Sequence, residues 1–126
     1  FKDIKHTEKK ILTLLKKEKI NFICLAGFMK IISRNFIKQF DGKIINIHPS
    51  LLPKYKGLNT HRRAIANKDK FSGCTVHYVT EKLDSGKIIM QKRIKVTAKD
   101  NALSLAKKVL KQEHKLYPAA IMKIFN

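Results

Sequence analysis

The sequence predicts an α/β fold in which a mostly parallel sheet carries helices on both faces and has an antiparallel edge. In the first half of the 126-residue chain, helical patterns alternate with short apolar runs, which is typical of a parallel sheet. The last two strand patterns are separated only by a short loop, so we expect them to pair antiparallel. The length fits one domain or part of one.

The first half of the chain contains two predicted helices and two predicted strands. Residues 7–19 place leucines and isoleucines on one side and lysines on the other, as in an amphipathic helix. Residues 22–26 are apolar throughout, which predicts a strand buried on both faces. Ser33 is placed to cap a short helix. An Asp-Gly turn then leads into a strand that carries Asn46 and His48.

The second half continues with a loop over 49–59 and a helix that Thr60 is placed to cap, reaching about Asn67. Alternating strands follow over 73–79 and 87–96. The second of these strands carries one apolar face formed by Ile88, Met90, Ile94 and Val96.

A long helix closes the sequence. Asp100 or Asn101 is expected to start it, and Pro118 to kink or divide it.

The composition limits the possible partners. The net charge is +19, and a basic chain can attract nucleic acid or anionic small molecules. The excess is almost all lysine, spread along the helices, whereas base recognition favours arginine and aromatic side chains. We therefore favour a solvated lysine-rich surface over a nucleic-acid site, and the alternative of an anion-attracting field stays open.

No apolar run reaches membrane-spanning length, and no signal-peptide pattern precedes the first helix. Cys24 and Cys74 lie in apolar strand patterns, far apart in sequence. We expect two buried free thiols in a reducing, cytoplasmic setting, with no metal site.

Asn46 and His48 are the chemically informative pair. Side chains two positions apart on a strand share one face, and Pro49 ends the strand directly after His48. An amide donor and an imidazole side by side suit a reaction in which a carbonyl oxygen becomes negative. Gly27, His48 and the loop of Asp84 all follow strands, so they are expected to converge at the carboxyl edge of the sheet.

Asp84 is the expected partner of His48. A nearby carboxylate would fix the tautomer of the ring and favour its protonated form. Each residue alone has a simpler reading, because Asn46 could satisfy buried backbone groups and Asp84 could belong to an ordinary turn. The combination of the three is more informative than any one of them.

The residues 46–53, Asn-Ile-His-Pro-Ser-Leu-Leu-Pro, resemble the signature of enzymes that use 10-formyltetrahydrofolate. The segment 73–86, which ends in Asp84-Ser85-Gly86, is similar to their second signature. Within that group, the chain most resembles the phosphoribosylglycinamide formyltransferases of purine synthesis, over essentially its whole length. Further similar segments are 25–33, 54–58, 60–62 and 112–114.

The resemblance implies a Rossmann-like formyltransferase fold and direct transfer of a formyl group from 10-formyltetrahydrofolate to the amine of phosphoribosylglycinamide. It implies that Asn46, His48 and Asp84 are catalytic, and that Glu113 binds the substrate ribose. His77 also matches a histidine of the family and is expected to be peripheral. The residues implied in folate binding, besides Asn46 and Asp84, are Met29, Lys30, Ile31, Ile32, Val79, Thr80 and Glu81.

Two departures from the family pattern stand out. Lys56 and Asn59 replace a proline and a histidine that are common in the family, which we expect to alter loop mobility. The family also begins with a strand and a Gly-Ser-rich phosphate loop that residues 1–126 do not supply. We therefore expect a partial catalytic domain that lacks the amino-terminal strand–helix units and transfers little or no formyl group by itself.

Other functions remain open at this stage. A methionyl-tRNA formyltransferase-like enzyme shares the segment 46–53, although it lacks the Leu-x-Thr-His pattern of 58–61. A formyltetrahydrofolate deformylase shares the three catalytic residue types but departs after Pro49. A basic, inactive fragment or binding module is the third alternative. The expected assembly is a monomer or a homodimer acting on small molecules.

Overall fold

The computed structural model describes residues 4–28 and 31–126. Met29 and Lys30 lie outside the described residues. Four helices and four strands occur in the described part, in the order predicted and with ends shifted by only a few residues. They are α1 (Ile4–Lys17), β1 (Phe22–Ala26), α2 (Arg34–Gln39), β2 (Lys43–His48), α3 (Thr60–Ala66), β3 (Phe71–Tyr78), β4 (Ile88–Lys95) and α4 (Ala102–Phe125).

The four described strands form one mixed sheet in the order β1-β2-β3-β4. β1 and β2 are parallel, while β3 is antiparallel to both β2 and β4. The α/β class and the antiparallel edge are confirmed, but the antiparallel part begins one strand earlier than predicted.

Helices cover both faces of the sheet, as predicted. β2 alternates between two apolar clusters, since Ile45 and Ile47 pack with α3 and α4 while Ile44 packs with Phe36 and Phe40 of the α2 region. Asn46 and His48 share the Ile44 face because strand side chains alternate. They lie beyond the α2 cluster, toward the carboxyl end of β2.

The prediction that β1 is buried on both faces is wrong. Cys24 and Ala26 are exposed, because β1 lies at the edge of the described sheet with a strand partner on one side only. Cys74, in the interior strand β3, is fully buried as predicted.

A β-bulge changes the apolar face of β4. The pairing shifts between Val76 and His77, so that His77 lies opposite Ile88 and Ile89 has no direct partner. As a result Ile89 packs against the core, while Ile88, which was predicted to share the face of Met90, is exposed.

The ends of α3 and α4 differ from the predictions in detail. Asn59, with a left-handed φ of 58°, occupies the N-cap of α3 in place of Thr60 and makes no side-chain cap bond. Asn101 caps α4 reciprocally with Ser104, as a capping box. α4 continues through Pro118 to Phe125, so this proline does not divide the helix.

Most of the lysine charge is exposed to solvent. Within residues 4–28 and 31–126, only Lys54 and Lys108 form ion pairs with carboxylates, Asp69 and Asp100 respectively. None of the helices in this part of the chain combines the length and apolarity needed to cross a membrane.

The contrast between the two cysteines gives a test of the sheet edge. We expect a small thiol-reactive reagent to modify Cys24 in the native protein much faster than Cys74. Cys24 is accessible, whereas burial closes off Cys74 and raises the pKa of its thiol to about 12.

Mass spectrometry of native and unfolded samples measures both rates. A Cys24→Ser variant is the control, because it should lose nearly all of the fast labelling. Equal native rates for the two thiols would contradict the edge position of β1.

Candidate active site

A cleft of about 700 Å³ opens at the carboxyl ends of β1 and β2. Three segments that were predicted to converge do so: Gly27 after β1, His48 and Pro49 after β2, and Asp84 after β3 all line it. The opposite wall comes from α3 and α4 and includes His61 and Glu113. The cleft thus brings together titratable groups from four separate parts of the sequence, namely His48, His61, Asp84 and Glu113.

The Asn46 amide is held by His77, which lies opposite it in the β2–β3 register. His77 Nδ1 lies 2.9 Å from the Tyr78 carbonyl oxygen and therefore donates to it, so Nε2 of the neutral ring accepts from Asn46 Nδ2 at 3.4 Å. One Nδ2 hydrogen remains free. The other amide atom, Asn46 Oδ1, is buried without a partner among the described residues. His77, expected to be peripheral, is therefore part of the site.

The His48 ring lies between two acceptors. Its Nε2 is 2.8 Å from the carbonyl oxygen of Tyr55, and its Nδ1 is 3.4 Å from Oδ2 of Asp84. Both side chains of the ion pair are less than 10% exposed. Each ring nitrogen of His48 therefore faces an oxygen that can accept a hydrogen bond from it.

Asp84 is the carboxylate at the centre of the site. Its Oδ2 accepts from the Gly57 amide at 2.8 Å, and its Oδ1 lies 3.8 Å from His77 Nε2. The residue adopts a left-handed backbone with φ of 48°, which an aspartate tolerates better than most residues. The turn that contains Asp84, which the sequence alone allowed to be an ordinary turn, directs this carboxylate toward His48.

Two further histidines lie near His48: His61 lines the cleft, and His77 lines a small cavity that adjoins it. Burial is the largest cause that lowers the pKa of both His77 and His61, and the nearby His48 lowers both further. His61 Nδ1 is buried without a hydrogen-bond partner among the described residues. The sequence interpretation gave His61 no role, although its position two residues after Asn59 in a family-like motif was a usable signal.

Glu113 reaches the same cleft from α4. Partial burial raises the pKa of its carboxyl group, and His114 opposes that shift. The described residues provide this carboxylate with no hydrogen bond or ion pair. A half-buried acceptor without a protein partner, on the wall of a cleft, is a candidate contact for a hydroxyl-bearing ligand.

The residues implied in folate binding are only partly brought together. A small cavity of about 40 Å³ adjoins the cleft, with room for about three water molecules. Glu81 is exposed and does not line this cavity. Those that do line it, with Asn46 and Asp84, are Ile31, Ile32, Val79 and Thr80.

Buried hydroxyl groups hold the loop that follows His48. The Thr75 hydroxyl donates to the Ser50 carbonyl at 2.7 Å and accepts from the Leu52 amide at 3.1 Å. The Gln91 side chain then donates to the Leu52 carbonyl at 2.8 Å. The sequence interpretation missed these supporting residues, because their contacts depend on the strand register.

The described residues contain no group of three or more histidine, cysteine, aspartate or glutamate side chains placed to hold a metal ion.

The histidine environments predict a pH-dependent stability. The unfolded chain takes up protons at the ordinary histidine pKa of 6.5, whereas folded His77 and His61 bind them only at lower pH. Their contribution to stability is complete above 6.5 and is lost as pH falls through that value toward the lowered folded-state pKa.

We therefore expect the free energy of unfolding in urea to decrease between about pH 7 and about pH 5. A His77→Gln variant should show a shallower decrease, and comparison near pH 8 separates this effect from the loss of packing. An NMR titration in which folded His77 titrates at or above 6.5 would contradict the assignment.

Comparison with known proteins places this site in a family. The family model described as "Formyl transferase" matches residues 1–121. The phosphoribosylglycinamide formyltransferase of Escherichia coli K12 is 48% identical over 99 residues, 79% of this chain and 47% of that protein. The human trifunctional purine biosynthetic protein adenosine-3 is 44% identical over 108 residues, 86% of this chain and 11% of that protein.

The fold agrees with the same family. A crystal structure of phosphoribosylglycinamide formyltransferase from Brucella melitensis superposes with a TM-score of 0.90 at 48% identity, covering 98% of this chain and 64% of that one. The chain spans about half the length of the E. coli relative, and the phosphate loop expected from the resemblance stays a prediction. The match over residues 1–121, with the agreement in sequence and in fold, shows that this chain belongs to the formyl transferase family.

Proposed function

We propose that this chain carries the active site for formyl transfer from 10-formyltetrahydrofolate to the amine of phosphoribosylglycinamide, a reaction of purine synthesis. The observation that carries the proposal is the buried contact between His48 and Asp84 on the wall of the cleft, with the Asn46 amide on the same face of β2. The names of the similar proteins support the same reaction.

The chemistry is an acyl transfer. The amine nitrogen attacks the formyl carbon, and the carbonyl oxygen gains negative charge as the tetrahedral intermediate forms. The bond from that carbon to folate N10 then breaks, and a proton passes from the attacking amine to the departing nitrogen. Groups that stabilise the oxyanion and carry the proton therefore determine the rate.

Asn46 and His48 supply the oxyanion contacts. The free Nδ2 hydrogen of Asn46 donates to the developing oxyanion, and the protonated His48 ring stabilises the same charge. Asp84 balances the charge of His48 and assists proton movement through its contact with Nδ1. Because these groups are buried, their interactions with a developing charge are stronger than they would be in water.

The two substrates occupy different parts of the cleft. The folate head lies against Ile31 and Ile32 and the Val79–Asp84 loop, next to the Asn46 amide, and the proposal extends this contact to Met29, Lys30 and Glu81. The acceptor lies along α4, where the Glu113 carboxylate accepts hydrogen bonds from ribose hydroxyls. The formyl carbon and the amine then meet in front of His48.

The main alternative is transfer to the amino group of methionyl-tRNA, as in a methionyl-tRNA formyltransferase-like enzyme. The full-length protein should formylate phosphoribosylglycinamide and leave methionyl-tRNA unmodified in parallel assays with the same donor. The reverse result would replace the proposed acceptor, and no transfer to either would favour the basic binding module.

Substitutions at Asn46, His48 and Asp84 test the mechanism. In the full-length protein, Asn46→Ala should raise the barrier by about 3 kcal/mol, the scale for one oxyanion donor. His48→Ala and Asp84→Asn should also lower kcat strongly. Folate binding, measured by calorimetry, should change much less, because these groups act mainly on the transition state.

Asp41→Asn is the control, since it removes an exposed carboxylate that lies outside the site, in the turn before β2. It should leave kcat near the wild-type value. Normal turnover in a folded His48→Ala protein would remove that ring from the mechanism.

Glu113 gives a prediction that depends on pH. Its folded-state pKa lies above the ordinary glutamate value of 4.5 because of burial, so it becomes protonated at a higher pH than an exposed glutamate. The ionised form accepts hydroxyl hydrogen bonds, and acceptor affinity should therefore fall as pH drops toward that raised value.

A Glu113→Gln variant should raise KM for phosphoribosylglycinamide with little change in kcat, and it should abolish this limb of the profile. KM for phosphoribosylglycinamide is also compared with that of a Gln112→Glu variant, which places an extra carboxylate at the neighbouring position. An unchanged KM in Glu113→Gln would remove Glu113 from the acceptor site.

A further inference from the structure

A short stretch of backbone holds both members of the central ion pair. The Tyr55 carbonyl accepts from His48 Nε2 at 2.8 Å, and the Gly57 amide donates to Asp84 Oδ2 at 2.8 Å. Two residues apart in sequence, these backbone groups hold the imidazole at the nitrogen away from Asp84 and hold the carboxylate at Oδ2, the oxygen that faces His48. The orientation of this backbone therefore determines how the pair is presented to the cleft.

Tyr55 holds its part of this backbone in an unfavourable conformation. Its φ is +57°, and a left-handed conformation costs an ordinary residue roughly 1–2 kcal/mol. Gly57, with φ of +85°, carries no such cost. The surroundings of Tyr55 must therefore supply the energy that keeps its carbonyl aimed at His48.

The Tyr55 side chain is anchored at its far end. Its hydroxyl donates to Asp69 Oδ2 at 2.6 Å and accepts from Asn67 Nδ2 at 2.9 Å. The guanidinium carbon of Arg63 lies 5.0 Å from the ring centroid. Lys54 Nζ pairs with Asp69 Oδ1 at 3.1 Å and lies 5.3 Å from the same centroid. None of these groups touches the His48–Asp84 pair.

Loss of this conformation would remove the hydrogen bond to His48. A positive φ is relieved by rotation about the N–Cα bond of Tyr55, which carries its carbonyl oxygen away from His48 Nε2. Without that acceptor, the Asp84 carboxylate is the acceptor that remains beside the ring, and the proton of the neutral ring would move to Nδ1. The nitrogen facing Asp84 would no longer be the one that gains and loses a proton.

We propose that Tyr55, anchored by Asp69, is a positioning residue that keeps a proton on His48 Nε2 and so reserves Nδ1, beside Asp84, for proton exchange. The catalytic consequence rests on the proposed function, whereas the effect on the His48 tautomer does not. The anchor lies outside the cleft, at the turn that follows α3, and acts on the site only through the backbone.

The test compares hydroxyl and carboxylate variants in the full-length protein. Tyr55→Phe removes the anchoring hydroxyl, and Asp69→Ala removes its acceptor. Asp69→Asn keeps an oxygen that can accept from Tyr55, so it should restore most of what Asp69→Ala loses. Tyr117→Phe is the matched control, because its hydroxyl also donates at 2.6 Å, but to Leu25 in the sheet.

The decisive measurement is ¹⁵N NMR of the His48 ring at a pH where it is neutral. Wild type and Tyr117→Phe should show the Nε2–H tautomer, while Tyr55→Phe and Asp69→Ala should show a mixture with Nδ1–H. Unfolding in urea should show comparable destabilisation in the two tyrosine variants. A pure Nε2–H tautomer in folded Tyr55→Phe, or the same mixture in Tyr117→Phe, would overturn the proposal.

The transfer assay provides a second, separable readout. Tyr55→Phe should lower kcat by about tenfold, a modest part of what misplacement of a reacting group can cost, with both KM values nearly unchanged. If wild type transfers no formyl group, the proposed function fails, while the NMR comparison still decides the role of Tyr55.

Discussion

The register between β2 and β3 is the constraint on which the site depends. It places Asn46 opposite His77 and His48 opposite Thr75, all on the face away from Ile45 and Val76, which are fully buried. A slip by one residue would move the polar set into the apolar cluster and the apolar set out of it. The packing of the core therefore fixes the distances between the side chains of Asn46, His48 and His77.

The second constraint is electrostatic. Three histidines share the site with one nearby carboxylate, and the Coulombic effect of His48 lowers the pKa of both His77 and His61. Burial acts in the same direction, so these two rings stay neutral where a solvated ring would be charged. His48 has closer contacts to acceptors on its two nitrogens than the other rings have, with the Tyr55 carbonyl 2.8 Å from Nε2 and Asp84 Oδ2 3.4 Å from Nδ1.

What the sequence predicted follows from rules that act over a few residues. The two-residue spacing of Asn46 and His48, and the proline after them, required only strand geometry. The exposure of Cys24 and the bulge at Ile89 depend on which strands lie beside them, which a local pattern does not encode. The roles of Tyr55 and Gly57 depend on left-handed backbone in a loop, where the chemistry lies in main-chain groups that every residue shares.

Three groups in the cleft lack the hydrogen bonds that buried polar groups normally have. Asn46 Oδ1 and His61 Nδ1 are buried without a partner among the described residues, and Glu113 is partly desolvated without one. Leaving such a group unsatisfied costs roughly 1–3 kcal/mol, and a ligand can recover that energy. Asn46 Oδ1 accepts N–H donors and Glu113 accepts hydroxyl groups. A ligand that satisfies both carries an amine at one end and hydroxyl groups at the other, and under the proposed reaction the acceptor has this order.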